Sequence, residues 1–248
     1  MRQQVAQMVS NALLKRMPPA ELQQLLSASE LVTLVPRQII HHYQLPMTHV
    51  YFVEHGLVSI AAKIGPEKFM EVWLVGAEGM VGAPLMLAQH AEPLYRRTVQ
   101  VGGAAFRIAI DAFRPMLPHL PSLQRLLNAH LAAVLVQTSQ AGACNAAHRL
   151  EQRLARWLLM ARRGLERDDI PLTHGILAQL LCVRRASITD CLDHLERQAI
   201  VRTDRGLVVI LDHRRLIDLC CNCFRIMDRE YDRQLSWFPA HLSQGIMA

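Results

Sequence analysis

The chain has 248 residues, 51% of them hydrophobic, and a formal net charge of +6. That is enough apolar material for two domains of about 100 to 150 residues each. The mild basicity suits a polyanionic partner without requiring one, and no apolar run reaches the roughly 18 residues that mark a membrane span. The N-terminal stretch MRQQVAQMVSNALLKRM has polar residues throughout, unlike a secretory leader. The six cysteines, at 144, 182, 191, 220, 221 and 223, form no evenly spaced disulfide frame, so a reducing cytoplasm is the expected compartment.

Residues 1 to 28 read as helical, with Pro18-Pro19 separating two short pieces. From Leu31 to Ile110 short β-rich runs alternate with glycines: Leu31 to Val35, Ile39-Ile40, Val50 to Val53, Leu57 to Ala61, Phe69 to Leu74, Thr98 to Val101 and Ala105 to Ile110. Many short strands so punctuated indicate an antiparallel barrel or sandwich. Within them THVYFV and GLVSI look like one hairpin turning at Glu54-His55-Gly56.

Pro115, Pro118 and Pro121 end this region, and Ser122 to Asn145 then runs helical. Leu123, Leu127, His130, Val134, Gln137 and Ala141 fall at heptad spacing and are expected to form the seam of a parallel dimer. A second stripe, Leu126, Leu131 and Leu135, is expected to face the β domain. Asn145 is read as a hinge, followed by a helix from Ala147 to Arg163 and a loop, GLERDDIP.

The stretch THGILAQLLCVRRASITDCLDHLERQAIV reads as two helices joined by a tight turn. Ile176, Leu177, Leu180 and Leu181 share one face of the first; Ile188, Cys191, Leu192 and Leu195 share one face of the second. Thr173 is placed to cap the first helix, beside His174. Arg184, Arg185, Ser187 and Thr189 open the second, where a recognition helix presents donors to base edges and phosphates. Two short strands follow around Asp204-Arg205-Gly206 and make a wing, on which Arg202 and Arg205 are candidate contacts to a phosphate or a minor groove. Asp212 to Gln234 reads as one further helix, and the last dozen residues as frayed.

The order of these elements resembles the Crp/Fnr family of bacterial transcription regulators. The most specific part is LTHGILAQLLCVRRASITDCLDHLERQAIV with its wing; MTHVYFVEHGLVSI, EGMVGAPL and CNAAHRLEQRLARWLL are also similar to family segments. The resemblance implies an α+β chain with a β-roll sensor domain over 1–115, a dimerisation helix over 116–145 and a winged helix-turn-helix over 146–248. It also implies a homodimer on near-palindromic double-stranded DNA, with RNA polymerase and a small-molecule effector as further partners and no membrane. The other reading of the chain is a small-molecule-binding module with a helical tail that docks on protein. No enzyme is expected, since no nucleophile–base pair, P-loop or His/Glu metal motif is present.

Departures from the family limit what carries over. The ligand pocket implied by the resemblance involves Gly82, Ala83, Arg97 and Thr98. Ala83 stands where the Gly-Glu pair of cyclic-nucleotide binders needs its carboxylate, so cAMP binding of the usual kind is not expected. No cofactor is assigned: haem through His42, His49 or His130 and a metal at the cysteines stay open. Cys220 and Cys223 form a C-x-x-C without an obvious second ligand pair, and as helical neighbours they read more simply as core residues, so no metal ligand is named. Cys182 takes the turn position where the family usually has glycine. Arg185 is expected to read guanine, and Asp193 to pair with Arg197 along the helix.

Overall fold

A computed structural model describes residues 9–87 and 92–238. The ends of the expected leading helical stretch and of the frayed tail (1–8 and 239–248) lie outside the described residues. Six antiparallel strands make the N-terminal sheet: β1 (Glu30–Leu34), β2 (Ile39–His41), β3 (His49–Gly65), β4 (Lys68–Val75), β5 (Met80–Val81) and β6 (Tyr95–Ala109). Their order is β1-β6-β3-β4, with β2 also on β6 and β5 also on β3.

The expected hairpin at Glu54-His55-Gly56 is instead a kink inside one long strand. Residues 49 to 62 of β3 pair with 109 to 95 of β6, and the register shifts between Val53 and Val58. Gly56 has φ +99°, and a Cβ there would meet the Val101 carbonyl oxygen at 2.6 Å. A Cβ on Gly103 would meet the His55 carbonyl oxygen at 2.1 Å. The two glycines thus form facing bulges that bend both strands at one level, where the sequence suggested turns. Thr98 to Val101 and Ala105 to Ile110 accordingly belong to one strand as far as Ala109. Two largely apolar runs of β3, Val50 to Val53 and Leu57 to Ala61, are covered on both faces, while His55 between them is exposed. Tyr51, Val53, Val58 and Ile60 pack inside the roll with Trp73 and Val99; Val50 and Phe52 pack outward against the helices.

Helices follow and precede the roll. Pro19–Ser27 (α1) and Ile110–Met116 (α2) cover its end, and Pro121–Ala147 (α3) crosses it. No residue at the start of α3 caps its own helix. Instead the Glu21 carboxylate, from α1, accepts the backbone N–H groups of Ser122 at 3.0 Å and Leu123 at 3.3 Å. An acid at a helix N-terminus satisfies orphan donors and meets the positive end of the macrodipole.

The expected dimer seam of α3 faces the wrong way for that role. Leu123, Leu127, His130, Val134, Gln137 and Ala141 are all buried within their own chain. The reason is the C-terminal helix α8 (Cys223–Ser236), which packs along α3 and, with the roll, covers that stripe. His130 sits between the rings of Trp73 and Tyr231, with centroids 6.2 and 5.9 Å away. The opposite face is open: Leu135, expected to face the β domain, is 68% exposed, and Asn128, Ser139 and Gly142 are exposed with it.

The turn out of α3 falls at His148 and Arg149, both extended, rather than at Asn145, which is still helical. The C-terminal head then comprises α4 (Leu150–Leu165), β7 (Asp169–Ile170), α5 (His174–Leu180), α6 (Arg185–Arg197), β8 (Val201–Asp204), β9 (Leu207–Ile210), α7 (His213–Leu219) and α8. The expected single helix from Asp212 to Gln234 is therefore two, broken at Cys220 to Asn222, where Cys220 is extended (φ −68°, ψ 149°). The head docks closely on the roll. The Ala77 N–H donates to the Gly164 carbonyl at 2.9 Å, and a Cβ on Gly76 would lie 2.1 Å from that oxygen. Trp157 of α4 donates its indole N–H to Glu71 of β4 at 2.8 Å.

Candidate nucleic-acid interface

The helix pair α5–α6 forms because each helix has one apolar stripe and the two stripes share a core. Leu177, Leu180, Ile188, Leu192 and Leu195 are buried together with Trp157 and Leu158 of α4. Thr173 caps α5 as the sequence suggested, its hydroxyl accepting the Ile176 N–H at 3.3 Å. The turn between the helices is held from outside, since Arg153 of α4 donates to the Leu181 carbonyl at 2.8 Å. Cys182 occupies the left-handed region with φ +56°. A glycine reaches that conformation without the clash between Cβ and carbonyl.

This scaffold projects the N-terminus of α6 into solvent. Arg184 is its N-cap and Arg185 its first helical residue. Both side chains are exposed, and neither guanidinium forms an ion pair or hydrogen bond among the described residues. The free N–H groups and positive dipole end of the helix lie at the same place, which suits phosphate as well as base edges. Ser187 is half-buried. Thr189 is turned inward, bonding the Arg185 carbonyl at 3.3 Å and His174 Nδ1 at 3.0 Å, so His174 and Thr189 fasten α5 to α6. Asp193 and Arg197 form no ion pair with each other among the described residues, contrary to the expected pairing.

The wing lies beside this end. β8 and β9 pair from Val201↔Ile210 to Asp204↔Leu207, leaving Arg205 and Gly206 as the turn. A third strand, β7, extends the sheet in the order β7-β9-β8, where the sequence suggested only a loop. Gly206 has φ +78°, and a Cβ on it would lie 3.7 Å from Thr173 Cγ2, which puts the turn next to the start of α5. Arg202 and Arg205 are exposed; Arg202 is paired with Asp204 at 3.2 Å.

Glu196 is a residue that sequence reasoning missed. Its carboxylate accepts the Thr203 N–H at 2.9 Å and the Thr203 hydroxyl at 2.8 Å, tying the C-terminal half of α6 to the wing. These two hydrogen bonds hold its carboxyl below the usual range. A single acid seven residues from its partner leaves no periodic signal in the sequence.

The four residues expected to form a ligand pocket are not brought together. A Cβ on Gly82 would meet Val50 Cγ1 at 3.0 Å, and Ala83 packs into the core between the roll and the helices. Arg97 and Thr98 are neighbours on β6 and so point to opposite faces. Arg97 is buried inside, near His41; it donates to the Tyr95 carbonyl at 3.3 Å, and among the described residues no acid faces it and its Nε is unpartnered. Burial lowers its pKa to about 10 and that of His41 to about 3. Thr98 lines a cleft of about 260 Å³ between the roll and α5, with Ser59, Glu71, Arg96, Ile176 and Gln179. Of the histidines considered for haem, His130 is fully enclosed and its pKa is pushed down to about 4 by burial.

Residues 152–219 match the family model of the Crp-like helix-turn-helix domain. No curated protein sequence matches the chain. Among solved structures, FixK2 of Bradyrhizobium japonicum is similar with a TM-score of 0.65 at 14% identity, covering 78% of this chain and 98% of its own. The c-di-GMP-responsive global regulator Clp of Xanthomonas campestris gives 0.64 at 16% identity, over 78% and 99% of the two chains. A Crp/Fnr-family transcriptional regulator of Thermus thermophilus gives 0.61 at 22% identity, over 77% and 97%. At these identities the likeness establishes the fold. No helix among the described residues is long and apolar enough to cross a membrane.

Proposed function

We propose that this chain, which has the Crp/Fnr regulator fold and a Crp-like helix-turn-helix domain over residues 152–219, controls transcription as a homodimer bound to near-palindromic DNA. In this reading the roll over 1–115 senses, the long helix dimerises and the head beyond it reads DNA. The observation that carries it is the pair Arg184-Arg185, solvent-facing and without a side-chain partner among the described residues, at the start of a helix whose apolar face is buried in the head. Arg185 reads guanine through a bidentate contact, while Arg184, Arg202 and Arg205 hold phosphates. Thr173, His174 and Thr189 set the geometry of this end, and Ser187 adds a hydroxyl beside it.

The partner contact in this reading uses the open face of α3, around Asn128, Ala132, Leu135, Ser139 and Gly142, because α8 covers the heptad stripe. A two-fold dimer presents two such heads to half-sites about one DNA turn apart. An effector site rests on Arg97 alone of the four pocket residues: a buried cation with no carboxylate beside it among the described residues favours an anionic small molecule. RNA polymerase is the expected protein partner of the DNA-bound dimer.

A gel-shift titration of genomic fragments with wild type and Arg185→Ala tests the reading. Arg185→Ala is expected to cost about 1–3 kcal/mol at the cognate site and to relax base preference there. An equal loss on every fragment would make Arg185 a phosphate contact; wild type showing no selective, salt-sensitive binding would reject the function.

A further inference from the structure

We propose that Cys144, His148, Cys221 and Cys223 form a structural zinc site at the junction of the long helix and the DNA-reading head. Cys144 is on the last turn of α3 and His148 is its C-cap, one helical turn on. Cys221 and Cys223 come from the break between α7 and α8, so a C-x3-H pair meets a C-x-C pair. The four donor atoms all lie within 4.8 Å of one another. The other member of the C-x-x-C, Cys220, stays outside this set of four: it closes α7, and its thiol donates to the Gln152 carbonyl 3.8 Å away, beside Cys221.

The separations suit one ion. A tetrahedral centre with Zn–S of about 2.3 Å and Zn–N of about 2.0–2.1 Å has edges of about 3.8 Å between sulfurs and about 3.5 Å from sulfur to nitrogen. Cys144 Sγ lies 3.5 Å from Cys221 Sγ, and Cys223 Sγ lies 3.6 Å from His148 Nδ1. A cubane cluster would need its ligands much farther apart. The three cysteines are buried, and four protein ligands close the coordination sphere, as in structural rather than catalytic zinc sites.

The surroundings match the charge of such a centre. Three thiolates and a neutral imidazole around Zn²⁺ leave one net negative charge. Arg156 is buried within electrostatic reach of Cys144, and its Nε has no partner. Gln140 Nε2 donates to Cys223 Sγ at 3.2 Å, the outer hydrogen bond that orients a metal-bound thiolate. Folding releases three thiol protons as the ion binds. The ion cross-links the end of α3 to the α7–α8 corner, and so fixes the head relative to the helix on which it turns.

The test is metal analysis of the full chain, produced without a metal-affinity tag in zinc-supplemented medium and purified anaerobically. About one zinc per chain is expected, surviving gel filtration, and reduced to a small fraction in the Cys221→Ser/Cys223→Ser double variant. Cys220→Ser is expected to keep its zinc. Cobalt added to the apoprotein is expected to give the intense visible bands of a tetrahedral thiolate site, a readout on wild type that needs no variant to fold. Substoichiometric zinc with weak octahedral cobalt bands, an iron–sulfur cluster in the purified protein, or zinc lost on Cys220→Ser instead would each overturn the proposal.

Discussion

Arg185 and Cys182 show what a single residue carries here. Arg185 could be picked from the sequence because a basic pair at the start of an amphipathic helix has few structural uses, and among the described residues it has no side-chain partner. Cys182 could be picked because it breaks the glycine habit of the turn, and it does adopt φ +56°. A Cβ in that region costs about 1–2 kcal/mol, partly offset by the greater chain entropy of glycine in the unfolded state. Cys182→Gly is therefore expected to stabilise the chain by about 1 kcal/mol in urea denaturation; destabilisation would show that the thiol makes a contact worth more than the strain. By contrast Glu21 was invisible because it acts on backbone N–H groups far along the chain, and Glu196 because its partner, seven residues on, lies across an element boundary that no period marks.

At the scale of elements, period told helix from strand but not what would cover each face. Gly56 and Gly102-Gly103 read as turns, because a bulge and a turn ask the same freedom of glycine; only the pairing of β3 with β6 distinguishes them. The heptad stripe of α3 was real, yet its cover is α8 of the same chain. The assumption of one unbroken helix over Asp212 to Gln234 likewise hid the cysteine cluster.

The junction of β4 and α4 gives a prediction of its own. Burial pushes the Glu71 carboxyl up to about 8, against the indole donor of Trp157 and the charge of Arg156. Its folded pKa exceeds the unfolded value near 4.5, so the folded state holds a proton that the unfolded state releases. Stability from this group is full below the unfolded pKa and falls as pH rises towards the folded one, by at most about 1.4 kcal/mol per pH unit. Glu71→Gln keeps an oxygen for Trp157 and removes the titration. Urea midpoints at pH 5.5 and 7.5 are expected to converge in the variant relative to wild type; an unchanged difference would show that Glu71 is ionised in the fold.

The whole molecule joins an N-terminal roll to a helix-turn-helix head through a tight glycine contact and a helical corner. On the open face of α3 the large apolar side chain is Leu135, 68% exposed beside Asn128, Ser139 and Gly142. Leu135→Glu adds a charge at an exposed position, so it should leave the chain folded. Sedimentation is expected to give a monomer where wild type gives a dimer, with DNA affinity falling in step; a dimer that survives the substitution would move the interface elsewhere.

The most direct measurement is selection of binding sites from random duplex DNA by the purified protein. Enrichment of a two-fold symmetric sequence is expected, with half-sites about one helical turn apart and in each a guanine that Arg185→Ala no longer selects. Recovery of unselected sequence, or of an unrepeated site bound by single chains, would contradict it.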